Sequence, residues 1–359
     1  KINMIDFPIF GLIATLATVI SWSIETSDQR IKFIGIFFIC ILAASIISFV
    51  HTADSAVYQD MWYQIDVSKG LLNQYNTYLG EPFYYLSQYL VKLIVEEFNY
   101  FRIGIIFFAL ILKIVIISKL SFKNNVGIIF YFCLIFATDS YLLRGSLAGG
   151  LVCYGIYLLI TRRSSLSFIL CVILASGFHV SALVATPLIV LNKFKGSQHL
   201  YLIFFIILIF LSINPIGHLS VTLFSNFFGA DQFIANKMIT YALTSQGEAV
   251  GIFRGSTVVY FLIFSFFILQ AEDLKKTRPH IDQIAFVMFY ALIFLIGFSD
   301  FAVITDRLFR LFAPFFAIGF SLLFFKFSDT SKVTALVSAA ILLNTLVYIQ
   351  ARSNFFLVE

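Results

Sequence analysis

Residues 166–191 read LSFILCVILASGFHVSALVATPLIVL, an uncharged run with Arg162 and Arg163 before it and Lys193 and Lys195 after it. The run is long enough to cross a bilayer once as a helix. Short loops rich in Lys and Arg stay on the cytoplasmic side, so a single crossing strands one basic flank on the wrong side. A hairpin removes the conflict. The chain then rises through 166–178, turns near His179 and descends through 180–191. Gly177 and Pro187 are compatible with such short, broken helices.

Working outward, further apolar runs lie at 7–24, 33–50, 103–117, 126–143, 146–160, 200–216, 256–271, 284–298, 308–325 and 333–349. Basic connections stand at Arg30/Lys32, Lys119/Lys123, Arg162/Arg163, Lys193/Lys195, Lys275/Lys276/Arg278 and Lys326/Lys332. All fall on the cytoplasmic side if 166–191 is a hairpin and 81–98 does not cross. In 81–98, Gln88, Lys92 and Glu96 recur every four positions, opposite Phe83, Leu86, Leu90, Leu93 and Ile94. That is the pattern of an amphipathic helix lying in the interface, begun by Pro82. The expected fold is all-α, a single polytopic membrane domain over 1–359 with about twelve transmembrane helices. Both termini are expected outside. So are two hydrophilic stretches, an outer loop at 51–102 holding the interfacial helix 81–98, and a second outer loop at 217–255. The first run reads as a retained span and not a signal peptide.

Composition agrees. Hydrophobic residues make up 60% of the 359 residues and charged residues 12%, and the mean hydropathy is +0.95. A water-soluble domain with so few charges could not solvate its surface. Forty-five Phe and seventeen Tyr suit lipid-facing and interfacial positions. The net charge of +5 informs through its placement and not its total. Neither an internal repeat nor a Gly-rich phosphate loop is seen, and nothing points to nucleic acid. Cys40, Cys133, Cys153 and Cys171 lie in apolar stretches without metal-ligand spacing and read as small buried hydrophobes. No metal and no cofactor is expected.

Several basic residues depart from the inside bias. Lys113 is expected near the cytoplasmic end of its span, where it can snorkel. Arg144, Arg254, Arg307 and Arg310 fall at outer ends of spans. Arginine near hydrocarbon costs about 2.5–3.5 kcal/mol on insertion scales, so it needs a partner. Asp139, Asp300 or Asp306 could each supply an ion pair. Convergence of the arginines on one level instead points to an anionic ligand, because guanidinium binds phosphate bidentately. Asp54, Asp60 and Asp66 follow the second span and Glu81 opens the interfacial helix. Solvated loop carboxylates are the plain reading of most of these. Asp54 is the one best placed to bond sugar hydroxyls, with Tyr58 and Trp62 as sugar-binding candidates. No Asp-x-Asp pair occurs in this loop, which gives no sign of metal-assisted sugar transfer. His179, at the crest of the hairpin with Ser181 beside it, has an unperturbed pKa near 6.5 that suits a general base or a phosphate-stabilising donor. A buried, hydrogen-bonded structural histidine is the alternative.

The stretch Arg144-Gly-Ser-Leu-Ala, then a span, a basic turn and Gly-Phe-His-Val-Ser-Ala-Leu-Val at 177–184, resembles the bacterial Wzy-type and EpsG-like polysaccharide polymerases. Asp54 and Tyr58 in the first outer loop and Gly-Glu-Pro-Phe-Tyr-Tyr-Leu at 80–86 are also similar to that family, and the matching order runs from about residue 50 to 190. Gly145 departs from the pattern, standing where the family usually has Gln. The resemblance implies a C-type membrane glycosyltransferase in the bacterial inner membrane, with its active site on the periplasmic or outer side. Its substrates would be undecaprenyl-diphosphate-linked oligosaccharide repeat units, serving as donor and acceptor, joined into O-antigen, capsular polysaccharide or exopolysaccharide. Lipid diphosphate is already a good leaving group, so no nucleotide is required. The displacement is expected to invert the anomeric centre. Arg144, Arg254, Arg307 and Arg310 would hold diphosphate; His179 would be the base or a diphosphate ligand, with Asp54 or Glu81 as the alternative base. A flippase and a chain-length regulator are the implied protein partners.

Other classes share some of these features. A lipid-linked oligosaccharide flippase or transporter also has about twelve spans and diphosphate-binding arginines. It needs access from both leaflets, whereas this chain concentrates its polar chemistry on one. An O-antigen ligase differs only in its acceptor, and an acyltransferase modifying sugars is a further enzymatic alternative. A structural scaffold has no need of so many arginines at one level.

Overall fold

The computed structural model describes residues 29–48, 53–71, 81–121, 124–136, 139, 142–216, 255–299 and 302–323. The expected spans 7–24 and 333–349, most of the second outer loop 217–255, both termini and Arg254 lie outside the described residues. Every regular element among the described residues is helical: α1 Gln29–Ser48, α2 Ala53–Gln64, α3 Pro82–Lys92, α4 Phe98–Leu120, α5 Asn124–Phe130, α6 Leu143–Arg162, α7 Ser165–Phe178, a 3-10 segment Val180–Lys193, α8 Gln198–Ile213, α9 Gly255–Leu269, α10 Ala271–Lys275, α11 Ile281–Gly297, α12 Ala302–Arg310 and α13 Pro314–Leu323. Shorter turns of 3-10 and π form occur at Val67–Lys69 and Tyr131–Ile135.

Helix α6 is central, packed on α4 and α7 and touched by the 3-10 segment and α12. Helix α1 lies on α4, α13 on α5 and α9, and α11 on α8 and α9. Outward faces are apolar. Leu166, Leu170, Ile173 and Leu174 of α7 are exposed, as are Leu202, Ile203, Ile206 and Phe210 of α8. Contiguous exposed apolar surface of this kind needs a non-aqueous neighbour, and bilayer hydrocarbon supplies it. Helices Phe98–Leu120 and Leu143–Arg162 are long and apolar enough to cross a membrane, and shorter apolar helices accompany them. The protein is a helical membrane protein.

The run 166–191 is divided at His179, whose extended backbone (φ −157°, ψ 119°) ends α7 and begins the 3-10 segment. Its two arms are antiparallel, because Asn192 Nδ2 donates to Ser165 Oγ at 3.1 Å, joining the far ends of the hairpin. Ser164 starts the first arm by accepting from the Ser167 backbone N–H. Helix α3 docks on the crest. A Cβ on Gly177 would sit 2.1 Å from Phe83 Cδ2, so only glycine admits that ring. Phe83 also meets Phe178 edge-on at 6.1 Å.

Four expectations are corrected. The interfacial helix ends at Lys92 and does not reach 98: Leu93 and Ile94 turn, and Glu97 is extended as the residue before α4. Its two stripes do not divide cleanly between water and apolar surroundings: Gln88 is buried and Lys92 Nζ donates to the carbonyls of Trp62 and Ile65 at 2.6 Å each, whereas Phe83 packs on the hairpin crest and Ile94 is 86% exposed. The run 308–325 is broken at 311–313, where Pro314 has no N–H to continue α12 and instead opens α13. Lys113 does not snorkel. It is fully buried, ion-paired with Asp139 and 3.0 Å from Ser146 Oγ.

Among the described residues, the basic connections at Lys119, Arg162/Arg163, Lys193/Lys195 and Lys275/Lys276/Arg278 gather at one end of the bundle. Lys119, Thr161 and Arg278 line a common pocket there. At about 1.5 Å per residue, the spacing of Arg144 from Tyr157 and Thr161 on α6 puts that pocket roughly 20–26 Å from Arg144, towards the far side of a hydrocarbon core about 30 Å thick.

Candidate functional site

Three elements meet at the end of α6 that carries Arg144. Pro82 sets the start of α3, which leaves Glu81 as the extended residue before it (φ −69°, ψ 137°). The Glu81 carboxylate makes no cap to its own helix. It reaches instead to two partners, one for each oxygen. Oε2 accepts a charge-assisted hydrogen bond from Arg144 Nη1, and Oε1 lies 3.0 Å from His179 Nδ1. A carboxylate only accepts, so Nδ1 carries the proton and Nε2 of a neutral ring keeps its lone pair. Burial works against ionisation of Glu81, but the hydrogen bond from His179 and the charges of Arg144 and His179 outweigh it and hold the carboxyl at about 2.

Arg144 is held on its other sides by aromatic groups. Its Nε donates to Tyr58 Oη at 3.4 Å, and its guanidinium carbon lies 5.1 Å from the Tyr58 ring centre and 5.7 Å from that of Tyr84. Among the described residues these contacts use two of the five guanidinium N–H groups, leaving three for a ligand. The side chain is 16% exposed, so the open edge reaches the surface. Gly145 follows, and a Cβ there would come no closer than 3.4 Å to Leu142 and 3.6 Å to His179 Cδ2, ordinary contact for a small side chain. The Ser181 hydroxyl, two residues beyond His179, is buried without a hydrogen-bond partner among the described residues.

Against this geometry, a family model described as the EpsG family matches residues 27–356. The chain belongs to the EpsG family. No curated protein and no solved structure matches it. Membership gives this EpsG protein a polysaccharide-polymerase type of function.

The remaining candidates of the EpsG chain divide. Arg307 comes near enough for its charge, with that of Arg144, to bear on His179. Arg310 Nη2 bonds Asp306 Oδ2 at 2.8 Å one turn back on α12, so the ion pair with Asp306 is realised there. Among the described residues Asp139 pairs with Lys113 and with no arginine, and Tyr131 Oη donates to the same carboxylate at 2.6 Å. Asp300 and Arg254 lie outside the described residues. Asp54 is in the first turn of α2, four residues before Tyr58 and therefore on the same helical face. Asp66 caps the short turn after α2 through Ser68 and pairs with Lys69.

Two roles change. Trp62 is a core residue and no platform for sugar: it is fully buried, its indole N–H donates to the Glu96 carbonyl at 2.9 Å, and its ring stacks on Phe101 at 5.1 Å. Tyr58 is 5% exposed and braces Arg144. Glu81 is a poor base, because a carboxyl held near 2 does not retain a proton at neutral pH. Tyr84, beneath Arg144, was not singled out by the sequence; its position three residues after Glu81, on the same face, was the available signal.

Proposed function

We propose that this EpsG protein is an inverting, metal-independent membrane glycosyltransferase of the C-type architecture, with about twelve spans. It would polymerise undecaprenyl-diphosphate-linked oligosaccharide repeat units at the outer face of the bacterial inner membrane. The observation that supports this reading is the joint hold of Glu81 on Arg144 and His179, a guanidinium and an imidazole side by side, which the reading casts as phosphate-binding cation and base.

In this reading His179 Nε2 takes the proton from an acceptor sugar hydroxyl as its oxygen attacks the anomeric carbon. The bond from that carbon to the donor's diphosphate oxygen breaks as the glycosidic bond forms, and attack from the opposite face inverts the centre. Undecaprenyl diphosphate departs as an anion. Arg144 and Arg307, with Arg254 and Arg310 as further candidates, stabilise the charge that develops on it, the role in which fixed cations contribute most. Glu81 positions both groups and does not itself take the proton. Asp54, at the start of α2, is the candidate contact for the acceptor sugar, while Tyr58 braces Arg144.

The test is purified protein in liposomes with lipid-linked repeat unit and no nucleotide sugar or energy source. A ladder of lengthening glycan is expected from the wild type, and none from His179→Gln or Arg144→Gln protein that inserts normally. Normal ladders from both variants would remove these residues from the mechanism. Unchanged substrate that only crosses leaflets would favour a flippase.

A further inference from the structure

At the end of the bundle opposite Arg144, a pocket of ≈ 260 Å³ opens between four helix ends. Lys119 in the last turn of α4 and Arg278 and His280 just before α11 bring cationic and polar groups to it, with Thr161 from α6. Leu120, Ile281, Ile284 and Leu322 make its apolar part. Among the described residues no acidic residue lines it. Of the carboxylates on the adjoining helices, Glu272 and Asp282 each lie 2.9 Å from Lys275 Nζ, Asp282 also accepts from Tyr201, and Asp273 pairs with Lys276 at 3.2 Å.

The field in this pocket is positive. Burial, then the charges of Arg163 and Arg278, push His280 below its ordinary pKa. The first turn of α11 adds backbone N–H groups at the rim, because His280 closes that turn without a side-chain cap. A cationic rim over apolar walls matches an amphiphile and not a free ion: the phosphate binds the rim, and the first methylenes of a lipid tail lie on Leu120, Ile284 and Leu322.

We infer that this pocket holds the phosphate headgroup of an anionic lipid, taken from the leaflet opposite the Arg144 cluster. The bound lipid joins the ends of α4, α6, α11 and α13 and stands apart from the proposed glycosyl-transfer site. A basic group near an anionic lipid surface contributes on the order of 1 kcal/mol, about fivefold in affinity.

Native mass spectrometry of the full chain released from nanodiscs of mixed phosphatidylglycerol and phosphatidylcholine tests this. Phosphatidylglycerol adducts should be retained in preference to phosphatidylcholine. The Lys119→Gln/Arg278→Gln variant should bind phosphatidylglycerol about 25-fold more weakly, two charges at about fivefold each. The charge-preserving Lys119→Arg/Arg278→Lys variant should retain binding, which separates loss of the site from loss of the fold. Lys193→Gln/Lys195→Gln, on another basic connection outside the pocket, should leave the preference intact. Equal retention of the two lipids, unchanged binding in the neutral variant, or an equal loss in the Lys193/Lys195 variant overturns the inference. Displacement of the adduct by millimolar inorganic phosphate also overturns it, by assigning the pocket to a soluble anion.

Discussion

Replacing Glu81 by Gln keeps the shape of the site and removes one acceptor. Arg144 Nη1–H and His179 Nδ1–H both point at the carboxylate, and each needs an oxygen. An amide has one oxygen and one NH2 group, so it can satisfy one of them. The oxygen goes to Arg144, the stronger donor, and the NH2 then faces His179 Nδ1. That ring nitrogen must become the acceptor, which moves the proton to Nε2 and blocks the lone pair that would receive the hydroxyl proton. General-base assistance contributes about 10²–10⁴-fold, and that factor should be lost. Weakened restraint of Arg144, by a charge-assisted bond worth about 1.5–3 kcal/mol, adds to the defect. Initial rates of glycan extension in liposomes, compared across wild type, Glu81→Gln and His179→Gln, give the measurement. Both variants should fall by similar factors, mainly in kcat. The ¹⁵N shifts of labelled histidine, assigned with the His179→Gln variant, should show the His179 ring changing tautomer in Glu81→Gln. A Glu81→Gln protein that keeps its rate within about threefold and its histidine tautomer would refute the reasoning, since a general base should contribute far more than that.

Glu81 also predicts a pH effect. Its folded pKa is depressed from 4.5 to about 2, so its stabilisation is present above about pH 4.5 and lost as pH falls toward 2. Thermal unfolding in detergent should therefore show a steeper loss over that window in wild type than in Glu81→Gln. Removing one partner of the buried Lys113–Asp139 pair, as in Lys113→Met or Asp139→Asn, should destabilise by about 3–5 kcal/mol, and the double change Lys113→Met/Asp139→Leu by less than either. A double-mutant cycle on melting temperature checks this. Trp62→Ala should cost about 3–5 kcal/mol in stability by the same assay, whereas Trp62→Phe retains most of the fold and the extension rate. Tyr58→Phe keeps the ring beside Arg144 and loses a long hydrogen bond, so its extension rate should fall by less than about tenfold. A near-total loss would return the hydroxyl to a direct role on sugar.

Much of the fold was legible because membrane topology is written in charge. The basic flanks of 166–191 required a hairpin, and the break falls at His179. Residues whose meaning depends on a distant partner were harder. Glu81, Arg144 and His179 were each visible, but separations of 63 and 98 residues hide their junction. That junction depends on Gly177 admitting Phe83, a packing detail with no local signature. Lys113 was misread for the same reason, because its partner Asp139 lies in a segment that sequence alone joins to a continuous span. Trp62 failed differently. An aromatic in an outer loop has the same composition whether it stacks on sugar or on Phe101, and only its full burial separates the two. The break in 308–325 was readable from Pro314, which the hydrophobic run concealed.

The arrangement also explains how arginine can wait at a membrane edge without ligand. Insertion of an unpaired arginine near hydrocarbon costs about 2.5–3.5 kcal/mol. Glu81 offsets that cost while leaving three guanidinium N–H groups open, so an arriving diphosphate need not expel the carboxylate. Arg144 and Arg307 both bring positive charge to bear on His179, beside the ionised Glu81. The same carboxylate ties Arg144 to His179, so the group proposed to bind the leaving diphosphate and the group proposed to deprotonate the acceptor cannot drift apart. A single acidic side chain between them does what two independent partners could not: it holds the guanidinium in place, the imidazole in the proton-accepting tautomer, and the spacing between them fixed.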